Sequence, residues 1–96
     1  ASAVVALAGG PGTFEELFEA ITLKRLGLYL GPIVIVNTRG YYDALLAQLE
    51  ATIAGRFMDA RHASMWTVVK RPEDVLPAIE SAMPWSADSR DFAVVR

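Results

Sequence analysis

The sequence predicts an α/β fold in which a parallel sheet is flanked by helices. Three observations predict it. Short, continuous apolar runs bounded by turn residues occur at 3–7, 33–37 and 66–70, the pattern of central parallel strands. Helical periodicities fill the gaps between these runs. The resulting alternation of strand and helix is the order of crossover units that lay helices on the faces of a parallel sheet. Three such strands form a thin, Rossmann-like sheet with open edges. Doubly wound domains join two halves of this kind and bind ligands beyond the carboxyl ends of their strands. The chain of 96 residues is therefore expected to hold the C-terminal half of a larger nucleotide-binding domain in residues 1–83, followed by a C-terminal tail in 84–96. The lack of an initial Met, with a strand that begins almost at once, agrees with that expectation.

The first strand is Ala3 to Leu7. The first helix is predicted to begin after Thr13 and run to about Leu28. It places Phe14, Leu17, Phe18 and Ile21 on one stripe and Leu23, Leu26 and Leu30 on a second, so one side covers the sheet and the other needs a partner. Gly31-Pro32 ends it and starts the second strand, Ile33 to Asn37. A second helix, about Tyr41 to Ala54, lines Leu45, Leu46, Leu49 and Ile53 on one face, with Gly55 as its C-cap. After the third strand, Trp66 to Lys70, a third helix starts at Pro72-Glu73-Asp74, where proline and acids suit a helix N-terminus. It is expected to pack Val75, Leu76 and Ile79, and Pro77 is tolerated only within its first turns.

Composition narrows the function classes. Hydrophobic residues make up 53% of the chain and charged residues 21%, enough apolar surface to exclude a disordered chain. The apolar stretch Pro32 to Val36 is far short of the roughly 20 residues that span a bilayer, so no membrane partner is expected. Nine Lys and Arg are scattered among eleven Asp and Glu, for a net charge of -2. That balance speaks against nucleic acid as a partner. No cysteine is present, which removes disulfides, thiolate nucleophiles and Cys-ligated zinc, and a cytoplasmic setting is the expectation.

The chemistry is expected in Ala8-Gly9-Gly10-Pro11-Gly12-Thr13-Phe14-Glu15-Glu16. A strand ends, a glycine-dense turn follows and a helix starts, an arrangement that aims backbone N–H groups and the positive helix end at an anion such as phosphate. The loop is no Walker A motif, since no Gly-Lys-Ser/Thr ends it. It is not the dinucleotide fingerprint either, because Glu15 stands where the third glycine belongs. Pro11 has no N–H, so Gly9, Gly10, Gly12 and Thr13 are the candidate phosphate ligands. A purely structural alternative is that Thr13 and Glu16 form a Ser/Thr-x-x-Glu capping box.

The same residues resemble the Pro-Gly-Gly-x-Gly-Thr-x-x-Glu motif of the LONELY GUY family, phosphoribohydrolases that release cytokinin bases from riboside 5'-monophosphates and were formerly described as lysine decarboxylases. The resemblance continues through Ile21-Thr22, Gly31 to Asn37 and Gly40-Tyr41-Tyr42-Asp43, and covers about Ala1 to Ala82. Ala8 replaces the motif's leading proline. The resemblance implies a 5'-phosphate held on Gly9, Gly10, Gly12 and Thr13, and a catalytic Glu16 carboxylate facing the ribose. Glu15, about 100° away around the helix, is a candidate for ribose hydroxyls or else a solvated side chain. It further implies an upstream half carrying an arginine that works with the glutamate, a homodimer or higher oligomer, a nucleoside monophosphate as the small-molecule partner, and no cofactor or metal. A non-catalytic nucleotide carrier of the same superfold is the competing reading, because binding needs the glycines but not the carboxylate.

Other residues are read more plainly. Arg39 follows the second strand and is expected to be a solvated loop residue. Tyr41 and Tyr42 are expected to pack at a helix start. His62, the only histidine, is expected to be an ordinary, partly exposed side chain, with Asp59 and Arg61 as loop charges and Trp66 and Trp85 as packing residues. Schiff-base chemistry would need a lysine in a supporting context, and neither Lys24 nor Lys70 has one.

Overall fold

A computed structural model describes residues 3–93. Its elements are β1 (Val4–Ala6), α1 (Pro11–Arg25), β2 (Ile33–Val36), α2 (Asp43–Ala54), β3 (Trp66–Val69) and α3 (Val75–Glu80). Single 3-10 turns lie at Thr38–Gly40, Ala60–Ser64, Pro72–Asp74 and Ala87–Phe92. The sheet has the order β1-β2-β3 and is parallel throughout, with Val4 opposite Ile33 and Ile33 opposite Trp66. The predicted α/β class, a Rossmann-like three-stranded parallel sheet with flanking helices, is therefore present. Only β2 is buried along its whole length. The apolar runs of β1 and β3 read like central strands, but each borders an edge, and Val5, Leu7 and Val68 stand exposed. One core joins Ala6, Ile33 and Ile35 to Leu17 and Ile21 of α1 and Leu49 of α2.

Helix α1 starts three residues before the predicted position. Gly10 is its N-cap in an extended conformation and Pro11 its first residue, a place where the missing N–H costs no helical bond and the fixed φ suits the helix. Thr13 is consequently the third helical residue rather than the cap, and the capping box with Glu16 does not form. The far end is also earlier than expected. Leu26 is the C-cap, and Gly27 turns the chain with φ 76°, so Leu28 and Leu30 lie beyond the helix and are exposed. Phe18, expected on the sheet-facing stripe, is exposed as well. The buried face is instead Leu17, Ala20, Ile21 and Lys24, the i, i+3, i+4, i+7 set of a helix packed on one side. Lys24 reaches past this face and donates from Nζ to the Gly31 carbonyl at 2.6 Å. Burial pushes its ammonium below the ordinary lysine pKa.

The C-terminal segment folds back onto the end of α1. Trp85 Nε1 donates to the Lys24 carbonyl at 2.7 Å, and the buried Ser89 hydroxyl sits 3.2 Å from the carbonyls of both Lys24 and Arg25. Helix ends leave their last carbonyls without helical partners, and here the tail supplies them. The approach is close: a Cβ on Gly27 would overlap the Ala87 carbonyl.

In α2, Leu49 is buried, Leu45, Leu46 and Ile53 pack beside it, and Gly55 is the C-cap. In α3, Pro77 is the third residue, inside the first turn where its missing N–H is tolerated. Ala78 is buried, but Leu76, expected in the core, points outward and is 70% exposed. His62 corrects another expectation, being 0% exposed. Its Nδ1 accepts the Asp59 N–H at 2.9 Å, while Asp59 accepts the Arg61 N–H at 2.9 Å, closing a reciprocal cap on the Ala60–Ser64 turn. The imidazole lies against Phe92 and Trp85, with ring centroids 5.1 and 6.3 Å away.

Candidate functional site

In a parallel sheet the carboxyl ends of neighbouring strands deliver their loops to one edge. Here that edge carries residues 8–13 after β1 and 37–42 after β2. The second loop is shaped by residues that sequence reasoning passed over. Asn37 accepts the Tyr42 N–H through Oδ1 at 2.6 Å and donates from Nδ2 to Asp43 at 2.8 Å. Between them, Arg39 and Gly40 both adopt positive φ, 53° and 74°. This tight turn delays α2 to Asp43 and aims Tyr41 and Tyr42 at the first loop. The Arg39 side chain itself is exposed.

The two tyrosines do pack, edge to face with centroids 5.0 Å apart, as expected of a helix-start pair. They also do something that expectation omitted. Tyr42, 1% exposed, donates its hydroxyl to the Leu7 carbonyl at 2.5 Å, and burial pushes its phenol above the ordinary tyrosine pKa. Tyr41, 51% exposed, donates to the Gly9 carbonyl. Loop carbonyls are thereby drawn toward α2. The only signal in the sequence was the adjacency of the pair to the ligand edge.

The glycine loop meets the helix N-terminus as expected. Gly12 and Thr13 are the second and third residues of α1, whose N–H groups have no helical acceptor, and Phe14 is the first to bond back, to Gly10 at 3.1 Å. A Cβ on Gly9 would overlap the Thr13 hydroxyl, whereas nothing lies within 4 Å of a Cβ built on Gly10 or Gly12. A side chain at position 9 would therefore force Thr13 to shift, while the other two glycines leave open space in front of the helix.

Thr13 and Glu16, three residues apart on one face of α1, line a cleft of about 370 Å³ whose other wall is β1 with Leu7 and Ala8 beyond it. Glu16 also borders an adjoining hollow of about 220 Å³ with Glu19 and Tyr29. Glu15 is exposed and lies outside both linings. The structure thus gathers Gly9, Gly10, Gly12, Thr13 and Glu16 at one helix start, and sets Glu15 off to the side. Lys24 sits at the other end of α1, hydrogen-bonded to Gly31, two residues before β2 at the amino edge of the sheet.

Residues 1–79 match the family model described as possible lysine decarboxylase. The chain is 39% identical over 85 residues to the cytokinin riboside 5'-monophosphate phosphoribohydrolase LOG1 of Arabidopsis thaliana, covering 81% of this chain and 40% of that protein. It is 33% identical over 84 residues to LOG2 of the same plant, covering 88% and 39%. A bacterial relative, the cytokinin riboside 5'-monophosphate phosphoribohydrolase of Rhodococcoides fascians, is 39% identical over 79 residues, covering 82% and 40%. The chain spans about two fifths of the length of the curated relatives it matches.

Proposed function

This chain belongs to the LONELY GUY (LOG) family, and from that premise we propose that its glycine loop and Glu16 form part of a phosphoribohydrolase site. The substrate is an adenine-type nucleoside 5'-monophosphate and the products are free base and ribose 5-phosphate. One observation carries the reading. Thr13 and Glu16 line the same cleft, at a helix start where the Gly12 and Thr13 N–H groups have no helical acceptor and Gly10 and Gly12 border open space.

The 5'-phosphate accepts hydrogen bonds from the Gly10, Gly12 and Thr13 amides, and the positive end of α1 lowers the cost of holding its charge. The scissile bond joins C1' to the base nitrogen. As it breaks, positive charge develops on the ribose, and a carboxylate at that point stabilises it and orients the incoming water. The water oxygen bonds to C1', and one of its protons replaces the sugar on the base. Glu16 has the reach for this role because it stands one turn beyond Thr13 on the same face. Lysine-based decarboxylation gains no support from Lys24, whose ammonium is committed to the Gly31 carbonyl at the opposite edge.

The test is release of ribose 5-phosphate from N6-isopentenyladenosine monophosphate and AMP by the longest chain that contains these residues, beside its Glu16→Gln variant. The expected result is cleavage by the parent and a loss of about 10³-fold in the variant, with nucleotide binding retained. If neither protein cleaves while both bind nucleotide equally, the site is a carrier and the hydrolase reading fails.

A further inference from the structure

The Tyr41 hydroxyl bonds to the one carbonyl that lies in the middle of the glycine loop. All peptide bonds in the described residues are trans, and in a trans peptide the C=O and N–H of one plane point in opposite directions. Drawing the Gly9 carbonyl toward Tyr41 therefore turns the Gly10 N–H away from Tyr41, and Gly10 borders open space, since a Cβ built there would meet nothing within 4 Å. The plane in question joins two glycines. With no Cβ on either side, it can turn over at little cost, and in the flipped state it presents a carbonyl oxygen to whatever anion occupies the loop.

We propose that Tyr41 is a positioning residue that locks the Gly9–Gly10 peptide in its phosphate-accepting orientation, so that ligand affinity at this loop depends on a hydroxyl that never touches the ligand. The proposal rests on the reading of the loop as a phosphate site. Three features support the assignment to Tyr41. Its ring is held edge-on by Tyr42, its backbone is placed by the Thr38–Gly40 turn, and Tyr42 performs the parallel task on the Leu7 carbonyl two planes earlier. Tyr42 is embedded in the core, whereas Tyr41 is half exposed and contributes chiefly its hydroxyl bond. Removing that hydroxyl leaves the ring in place and frees only the peptide.

The experiment is calorimetric titration of the full chain and its Tyr41→Phe variant with inorganic phosphate, AMP and adenosine. The expected result is a loss of about tenfold in affinity for phosphate and AMP, the scale of one hydrogen bond to a charged group, with adenosine bound equally by both proteins. The adenosine arm separates positioning from general damage, because a misfolded variant or a lost base-stacking surface weakens adenosine as well, and that outcome overturns the proposal. Unchanged phosphate and AMP affinity in the variant also overturns it, while leaving the loop reading intact. Failure of the wild-type chain to bind either phosphate ligand overturns the loop reading itself, and the proposal with it.

Discussion

Tyr41 and Tyr42 offer a matched pair of perturbations, since the same hydroxyl can be removed from neighbouring residues that differ chiefly in burial. Tyr42→Phe deletes a donor from a 1% exposed side chain and leaves the Leu7 carbonyl without its 2.5 Å partner. An unsatisfied polar group in such a setting costs about 1–3 kcal/mol. The bond is partly buried, so about 1.5 kcal/mol is expected. Tyr41→Phe deletes a donor from a residue 51% exposed, where water replaces the lost bond to Gly9, and the expected cost is below about 0.5 kcal/mol. Urea unfolding reads both. With a slope of about 1.5 kcal/mol/M the midpoint falls by roughly 1 M for Tyr42→Phe and by less than roughly 0.3 M for Tyr41→Phe, with the slope unchanged. Equal shifts, or a larger one for Tyr41→Phe, would refute the argument that burial separates a tyrosine that holds the fold from one that tunes the loop.

Gly12→Ala places a Cβ in open space on an exposed helical position, so stability rises by roughly 0.5 kcal/mol while AMP affinity falls at least tenfold as the methyl fills the phosphate face; unfolding and titration of one preparation check both. Gly27→Ala meets the opposite situation, a positive φ and an overlap with the Ala87 carbonyl, and is expected to cost about 2 kcal/mol or more in urea unfolding. The pH dependence should carry the mark of His62. Burial, with Arg25 and Arg61 nearby, outweighs Asp59 and pushes the His62 pKa down, so the unfolded chain takes up the proton first. Stability is then complete above about pH 6.5 and falls as the pH drops toward the lowered folded value. His62→Gln should flatten that slope, and an unaltered slope would remove His62 as its source.

Periodicity and composition were sufficient for the sheet, because Ile33 to Val36 is apolar at every position and only a strand covered on both faces satisfies that. They were insufficient wherever backbone geometry overrode pattern. Thr13 looks like a cap beside Glu16, yet Pro11 and Gly10 start the helix earlier because they are preorganised for its entry. Leu28 and Leu30 extend the leucine spacing on paper, but Gly27 ends the helix with a left-handed residue. Leu76 is apolar and exposed because α3 has only six residues and buries one side. The glycine loop was legible because three glycines in four residues exceed what a turn needs. Tyr41 and Tyr42 were not, since their role depends on hydrogen bonds to carbonyls more than 30 residues away in the chain, for which no local spacing exists. His62 was misjudged for the same reason, its cover arriving from Trp85 and Phe92.

The tail contacts on α1 set an order of events during synthesis. Tyr41 and Tyr42 close on the glycine loop across 32 and 35 residues, whereas Trp85 and Ser89 reach Lys24 across 61 and 65. At translation rates of about 5–20 residues per second, the loop end of α1 can be tied down roughly 2–10 s before the opposite end meets its partners. Until then the Arg25 carbonyl lacks its Ser89 partner and Lys24 has no cover from Trp85. A nascent chain caught in that interval holds a finished glycine loop on an unfinished helix, and is the form most open to chaperone or protease.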